Sequence, residues 1–387
     1  MNEITDALVF LFVVGLRVFV PLGVFRYPLP AIIAALIIDA ADETILDVFT
    51  NLDLGFYQSY DKALDIYYLS LAYIATLRNW PNLFAFNVSR FLWYFRLVGT
   101  TLFELTGLRA LLMIFPNVFE YFFIYIELAR TRWSAFRLTR YHVVAAAAVI
   151  WVFIKLPQEY WIHVAQLDFT DFLKETVLGM PLTATWGEAI RENLWVIPVL
   201  VLITIAGYAG IRELDRRLPK PDWRTSFDAN QTSDEHVKSG SIPLAANHWR
   251  TGLLEKIALV ALVSIIFASM LPNIDATPLQ MSFGVGFVVL GNALVSHWLA
   301  SRGVSWKSFG TQFAALTGIN VLIAIAGTFI LPMFDGEARL RDILFFVLLL
   351  TVLVSFYDRY RAIHDLRMAQ TYPKDVPADT SKARDSR

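Results

Sequence analysis

The sequence predicts an all-α polytopic membrane bundle of about eleven spans. Three observations lead there. The 387 residues are 56% hydrophobic and only 17% charged, against roughly 45–50% and 25% in soluble domains. The excess is laid out as repeated apolar runs of span length rather than as one core. The basic residues of the connections then fall on one side when the spans simply alternate.

The expected spans cover about 7–25, 29–49, 62–78, 83–104, 107–127, 142–157, 192–212, 252–271, 279–300, 311–332 and 341–358. Arg130, Arg132, Arg137 and Arg140 follow the fifth, and Arg212, Arg216, Arg217, Lys220 and Arg224 follow the seventh. Arg302 and Lys307 follow the ninth, and Arg359, Arg361 and Arg367 the eleventh. Lys and Arg collect on the cytoplasmic side. The N-terminus is therefore expected outside and the C-terminus inside.

The expected organisation is a bundle of about seven spans over 1–212, a polar cytoplasmic linker over 213–250, and a bundle of four over 251–360. A polar, disordered tail is expected over 361–387. Within 158–191, Phe169, Phe172, Leu173, Val177 and Leu178 recur at helical spacing, so a short amphipathic surface helix is expected, flanked by Trp161 and Trp186. The start MNEITDALVFLF has no basic segment and reads as an uncleaved first span.

Composition excludes several chemistries. With no cysteine there are no disulfides, thiol nucleophiles or thiolate metal sites. A net charge of −1 gives no field toward nucleic acid. No glycine-rich nucleotide loop, HExxH zinc pair or GxSxG elbow is found. The partners expected are the lipid bilayer and a small ion or lipid-linked substrate, with no nucleotide cofactor. The setting expected is the plasma membrane of a prokaryote.

The informative stretch is 29–127. The second span carries Asp39, Asp42, Glu43 and Asp47, which fall within an arc of about 140° at 100° per residue. Asp39 lies about 13 Å along the helix from Pro30, near the bilayer midplane. In the third span Asp61, Asp65 and Tyr68 share one stripe. Arg90 and Arg96 lie in the fourth. Arg109, Met113, Pro116 and Glu120 line up in the fifth, with Pro116 expected to kink the helix one turn before Glu120. Arg17 in the first span is a further counter-charge.

Across 29–127 ten acids face five bases. Such a surplus cannot stay dry and ionised. It must pair, take up protons, hydrate or bind a cation. Asp39 and Glu120 are expected as central protonatable groups. Asp42, Glu43, Asp61 and Asp65 would attract cations, with Arg90, Arg96 and Arg109 as counter-charges. The last four spans are expected to be conventional and apolar, with Asn292, His297, Gln312 and Asn320 as their polar features.

Three functional classes fit this pattern. One is proton- or cation-linked transport through an outward-opening carboxylate cluster. Another is a membrane-embedded enzyme using Mg²⁺ on a lipid-linked phosphate. For it, DAADETILD and DKALD resemble the aspartate-rich motifs of UbiA-type prenyltransferases. Here, however, they sit on neighbouring spans and lack the leading Asn-Asp, so no family is assigned. The third is an accessory subunit whose buried charges only pair with one another.

Overall fold

A computed structural model describes residues 3–52, 57–167, 169–230, 249–270 and 340–371, and in addition 314, 317–318 and 321–322. Among these residues the fold is all-helical, with no strand. Five described segments are long and apolar enough to cross a membrane: Ile4–Phe25, Ala110–Arg130, Arg140–Val164, Val196–Arg217 and Gly252–Ser269. Helices of this kind are compatible with a membrane protein. The ninth expected span, and nearly all of the tenth, lie outside the described residues.

The first helix, α1 (Glu3–Phe19), runs on as a tighter 3-10 segment, Val20–Phe25, which opens around Pro21. Then come α2 (Pro28–Phe49), α3 (Tyr57–Asn79) and α4 (Leu83–Thr106). Pro28 opens α2 at a position where its missing N–H costs nothing. Pro81 forces the residue before it out of helical geometry, and α3 stops there.

Asn82 then caps α4. Its side chain accepts from Phe84 N and Ala85 N, both at 3.1 Å. It also donates to Ala135 O at 2.9 Å and Leu138 O at 3.1 Å. One amide therefore ties a helix start to a later connection. Asn82→Ala should lower unfolding stability by about 2 kcal/mol, the cap and a lost buried bond together. A denaturant titration in detergent micelles checks this, and an unchanged midpoint would refute it.

The fifth expected span is two helices, α5 (Ala110–Ile114) and α6 (Val118–Arg130). Residues 115–117 between them are not helical. The break at Pro116 is larger than the kink expected from the missing N–H alone.

The sixth span is longer than expected. α7 (Arg140–Val149) continues through wide π turns and a short α segment to Val164. Pro157 lies inside this run, and the π turns accommodate the backbone donor it lacks. The expected surface helix is present as α8 (Phe169–Phe172), extended by a π turn to Val177. A further short helix follows, α9 (Trp186–Glu192), started by a Thr185–Glu188 capping box. α10 (Val196–Arg217), α11 (Trp249–Ser269) and α12 (Leu340–Thr371) complete the described part.

The centre of the molecule is α3, with α1, α2, α4, α11 and α12 packed around it. Every residue from Ile66 to Leu77 on α3 is buried, although this is a tyrosine-rich helix of low hydropathy. Its hydroxyls explain why burial is tolerated. Tyr57 donates to Asp42 at 2.6 Å, Tyr67 to Val18 O at 3.3 Å, Tyr68 to Glu120 at 2.6 Å, and Tyr73 to Glu255. A buried hydroxyl left without a partner would cost ~1–3 kcal/mol. Aromatic contacts fill the rest. Phe25 stacks on Phe356 at 4.5 Å and Tyr60 meets Phe345 at 5.0 Å. The core thus joins residues from both sides of the 213–250 segment.

Several connections gather at one end. Ser226 N donates to Thr131 O and Asp222 N to Arg132 O, both at 2.9 Å. Ala229 N reaches Arg26 O at 2.8 Å, and Arg78 reaches Asn230 at 2.6 Å. Arg367 donates to Arg78 O. The chain thereby brings its basic connections into contact with one another.

Candidate functional site

Three groups of buried or half-buried charge surround α3. The first is centred on Arg17, whose guanidinium is buried at the α1–α2–α3 junction. It lies 2.5 Å from each of Asp39, Asp61 and Asp65 and also pairs with Asp42. Asp42 is buried on the floor of this group. The other three aspartates are partly open, with side-chain exposures of 28%, 38% and 40%. One guanidinium offers five donors to these four carboxylates, so each finds a donor while the acids outnumber the cation. Carboxylate oxygens of Asp39, Asp61 and Asp65 lie within 4.8 Å of one another.

The helical arc explains which acids take part. Asp39 and Asp42 face α1 and α3, whereas Glu43 and Asp47 are exposed. A 140° arc is wider than the strip α2 presents to its neighbours. Glu43 contributes only its backbone N–H, which donates to Asp42 at 2.6 Å.

The second group is built on the break before α6. Glu120 is buried in the first turn of α6. It accepts from Tyr68 at 2.6 Å and from the Asn117 side chain at 3.0 Å, with the Lys155 ammonium 3.6 Å away. Glu159 accepts from Asn117 N at 3.1 Å and lies 3.0 Å from His163. Arg96 stands 4.0 Å from Glu159 and donates to Phe115 O at 3.1 Å, meeting a carbonyl in the segment Pro116 interrupts. Lys155 also lies over the Tyr121 ring at 4.0 Å. Lys155, Glu159 and His163 share one helical face at i, i+4, i+8.

The third group joins α3, α4, α11 and α12. Glu255 accepts from Tyr73, pairs with Arg361 at 2.5 Å and lies 3.6 Å from Arg90. Arg361 also pairs with Asp365 at 3.1 Å. Lys256 pairs with Asp358 at 2.7 Å.

The nine expected site residues are thus distributed. Asp39, Asp42, Asp61 and Asp65 converge on Arg17. Glu120 and Arg96 belong to the second group, and Arg90 to the third. Glu43 is exposed and enters none of these pairs. Arg109 is exposed where α5 begins.

Two expectations are corrected. Spans two to five do not hold all the buried charge, because Arg17, Lys155 and Glu159 come from the first and sixth. Nor are the last spans uniformly apolar, since α11 and α12 carry the Glu255–Arg361 and Lys256–Asp358 pairs. Asn292, His297, Gln312 and Asn320 lie outside the described residues. The i, i+4 spacing of Lys155 and Glu159 was a visible signal for the sixth span, as was Arg361–Asp365 for the last.

The first two groups meet through Tyr68. It stands three residues from Asp65 on the same face of α3, and its hydroxyl is on Glu120. No family model, curated protein or solved structure matches this chain.

Proposed function

We propose that this membrane protein carries out proton-linked transport, with a relay running from the Arg17 aspartates through Tyr68 to Glu120. The observation that carries the reading is the position of Tyr68, one turn from Asp65 with its hydroxyl on Glu120. A phenol passes a proton by accepting one as it releases another, and intramembrane chains of acids and hydroxyls serve such relays. The close oxygens of Asp39, Asp61 and Asp65 would supply a proton-holding site at one end. Lys155, Glu159 and His163 continue the line of exchangeable groups at the other. The setting proposed is a plasma membrane with the gathered basic connections on the cytoplasmic side. The membrane topology proposed remains N-terminus outside.

A second reading has its own support. The close oxygens of Asp39, Asp61 and Asp65 resemble a cation cradle, which suits cation-linked transport or a Mg²⁺-dependent enzyme. Arg17 already presents its donors to all three, so a metal ion would have to displace a guanidinium. A proton does not, and the proton reading is preferred.

Vesicles containing the purified protein and a luminal pH dye test this. A potassium diffusion potential is imposed, alone and with a panel of small solutes outside. The expected result is dye acidification dependent on the protein, slowed tenfold or more by Tyr68→Phe, which keeps the ring and removes the relay oxygen. Wild-type vesicles no faster than protein-free ones under every condition would refute the proposal, as would unaffected flux in Tyr68→Phe. A sodium or magnesium gradient replacing the proton response would favour the second reading.

A further inference from the structure

The end of the bundle where the basic connections gather carries a cluster the relay does not use. Arg78, at the end of α3, points its guanidinium at neutral groups. It donates to Phe25 O, to Asn79 at 2.7 Å and to Asn230 at 2.6 Å. Arg367, near the end of α12, donates to Arg78 O through Nη2. Its Nη1 is buried and, among the described residues, has no hydrogen-bond partner. Among the described residues neither arginine has a carboxylate within ion-pair distance. Arg130, the last residue of α6, completes the group. It pairs with Glu127 at 2.8 Å, and that acid also accepts from Trp80 at 2.6 Å.

The electrostatic cost is visible at Arg367, which lies beyond the apolar part of α12. Burial, together with the nearby charges of Arg130 and Arg78, lowers its pKa from the usual arginine value to about 10. Like charges are not held together at a buried site without a counter-ion.

We propose that Arg78 and Arg367 form a binding site for a phosphate group, with the buried Nη1 of Arg367 as the donor that awaits it. Guanidinium forks match phosphate oxygens in geometry as well as charge. The phosphate can come from an anionic lipid headgroup at the membrane surface or from a free phosphate in solution. The chemistry of recognition is the same.

The test uses the full chain in uncharged detergent. Thermal unfolding is followed by tryptophan fluorescence with inorganic phosphate against chloride at equal ionic strength. In a second arm, phosphatidylglycerol is compared with phosphatidylcholine in mixed micelles. A rise in midpoint with phosphate in either arm is expected, and the arm that responds identifies the source. Arg367→Gln should weaken binding at least tenfold in that arm. Arg216→Gln, an exposed arginine elsewhere, should leave it unchanged. If Arg367→Gln proves too unstable to purify, phosphorus NMR titration of the wild-type chain and of Arg78→Gln decides instead. No binding in either arm, or equal binding by wild type and the Arg367 or Arg78 variant, overturns the proposal.

Discussion

Arg17→Met is expected to be the most damaging single substitution in this protein. It keeps the length and apolar stem of the side chain but removes the only cation that, among the described residues, pairs with the four aspartates. Removing one partner of a buried ion pair typically costs about 3–5 kcal/mol, because the other charge is left behind. Here the loss falls toward the lower end, since Asp39, Asp61 and Asp65 are partly open and solvent screens them. Asp42 is buried and carries most of the penalty. Thermal unfolding in detergent should show a clear fall in midpoint. Adding Asp42→Asn should restore much of it, because the stranded charge is then gone while the amide oxygen still accepts from Tyr57 or from the backbone N–H of Glu43. If Arg17→Met unfolds like wild type, the guanidinium is not what holds α1, α2 and α3 together.

Glu120→Gln is expected to abolish proton-linked flux while leaving the fold intact. The amide oxygen still accepts from Tyr68 or Asn117, so the hydrogen bonding around the α6 start is largely kept. What the amide cannot do is exchange a proton. Lys155 loses one of its counter-charges, but Glu159 lies four residues along the same helix face. The destabilisation should therefore be about 1–2 kcal/mol, while dye acidification falls to the protein-free rate. Flux that persists in a folded Glu120→Gln protein would remove this residue from the pathway. Flux lost only together with the fold would be diagnosed by the unfolding midpoint and by rescue in Glu120→Asp.

The all-helical class was legible because long apolar runs leave few alternatives in lipid. The acidic face of α2 and the Asp61, Asp65, Tyr68 stripe of α3 were legible because helical periodicity puts them on common faces. Arg17 as the hub was not. Its partners lie 22 to 48 residues away, and nothing periodic in α1 announces a lone arginine in an apolar run. The sixth span was underestimated because hydropathy falls at Lys155 and Pro157, where the helix instead continues through π turns. The Glu255–Arg361 pair was missed for a related reason. Both residues sit near the ends of apolar segments, where a charge ordinarily signals exposure. Glu43 and Arg109 were over-read because belonging to a polar face does not decide which part of that face meets a neighbour.

One helix behaves unlike all the rest. Among the described residues, nothing covers the apolar length of α10, none of which is buried. It is fastened at one end. Asp215 pairs with Arg132, and the segment after it is pinned through Trp223 to Thr131 at 3.1 Å. At 1.5 Å per residue it is about 33 Å long, close to the thickness of a bilayer's hydrocarbon core. A helix fastened at its foot and uncovered by the other described residues would adjust its tilt to a thicker or thinner membrane. The charged centre around α3 would not need to deform when it did. Membrane thickness would then be absorbed at this helix, and the same interior geometry kept in bilayers of different composition.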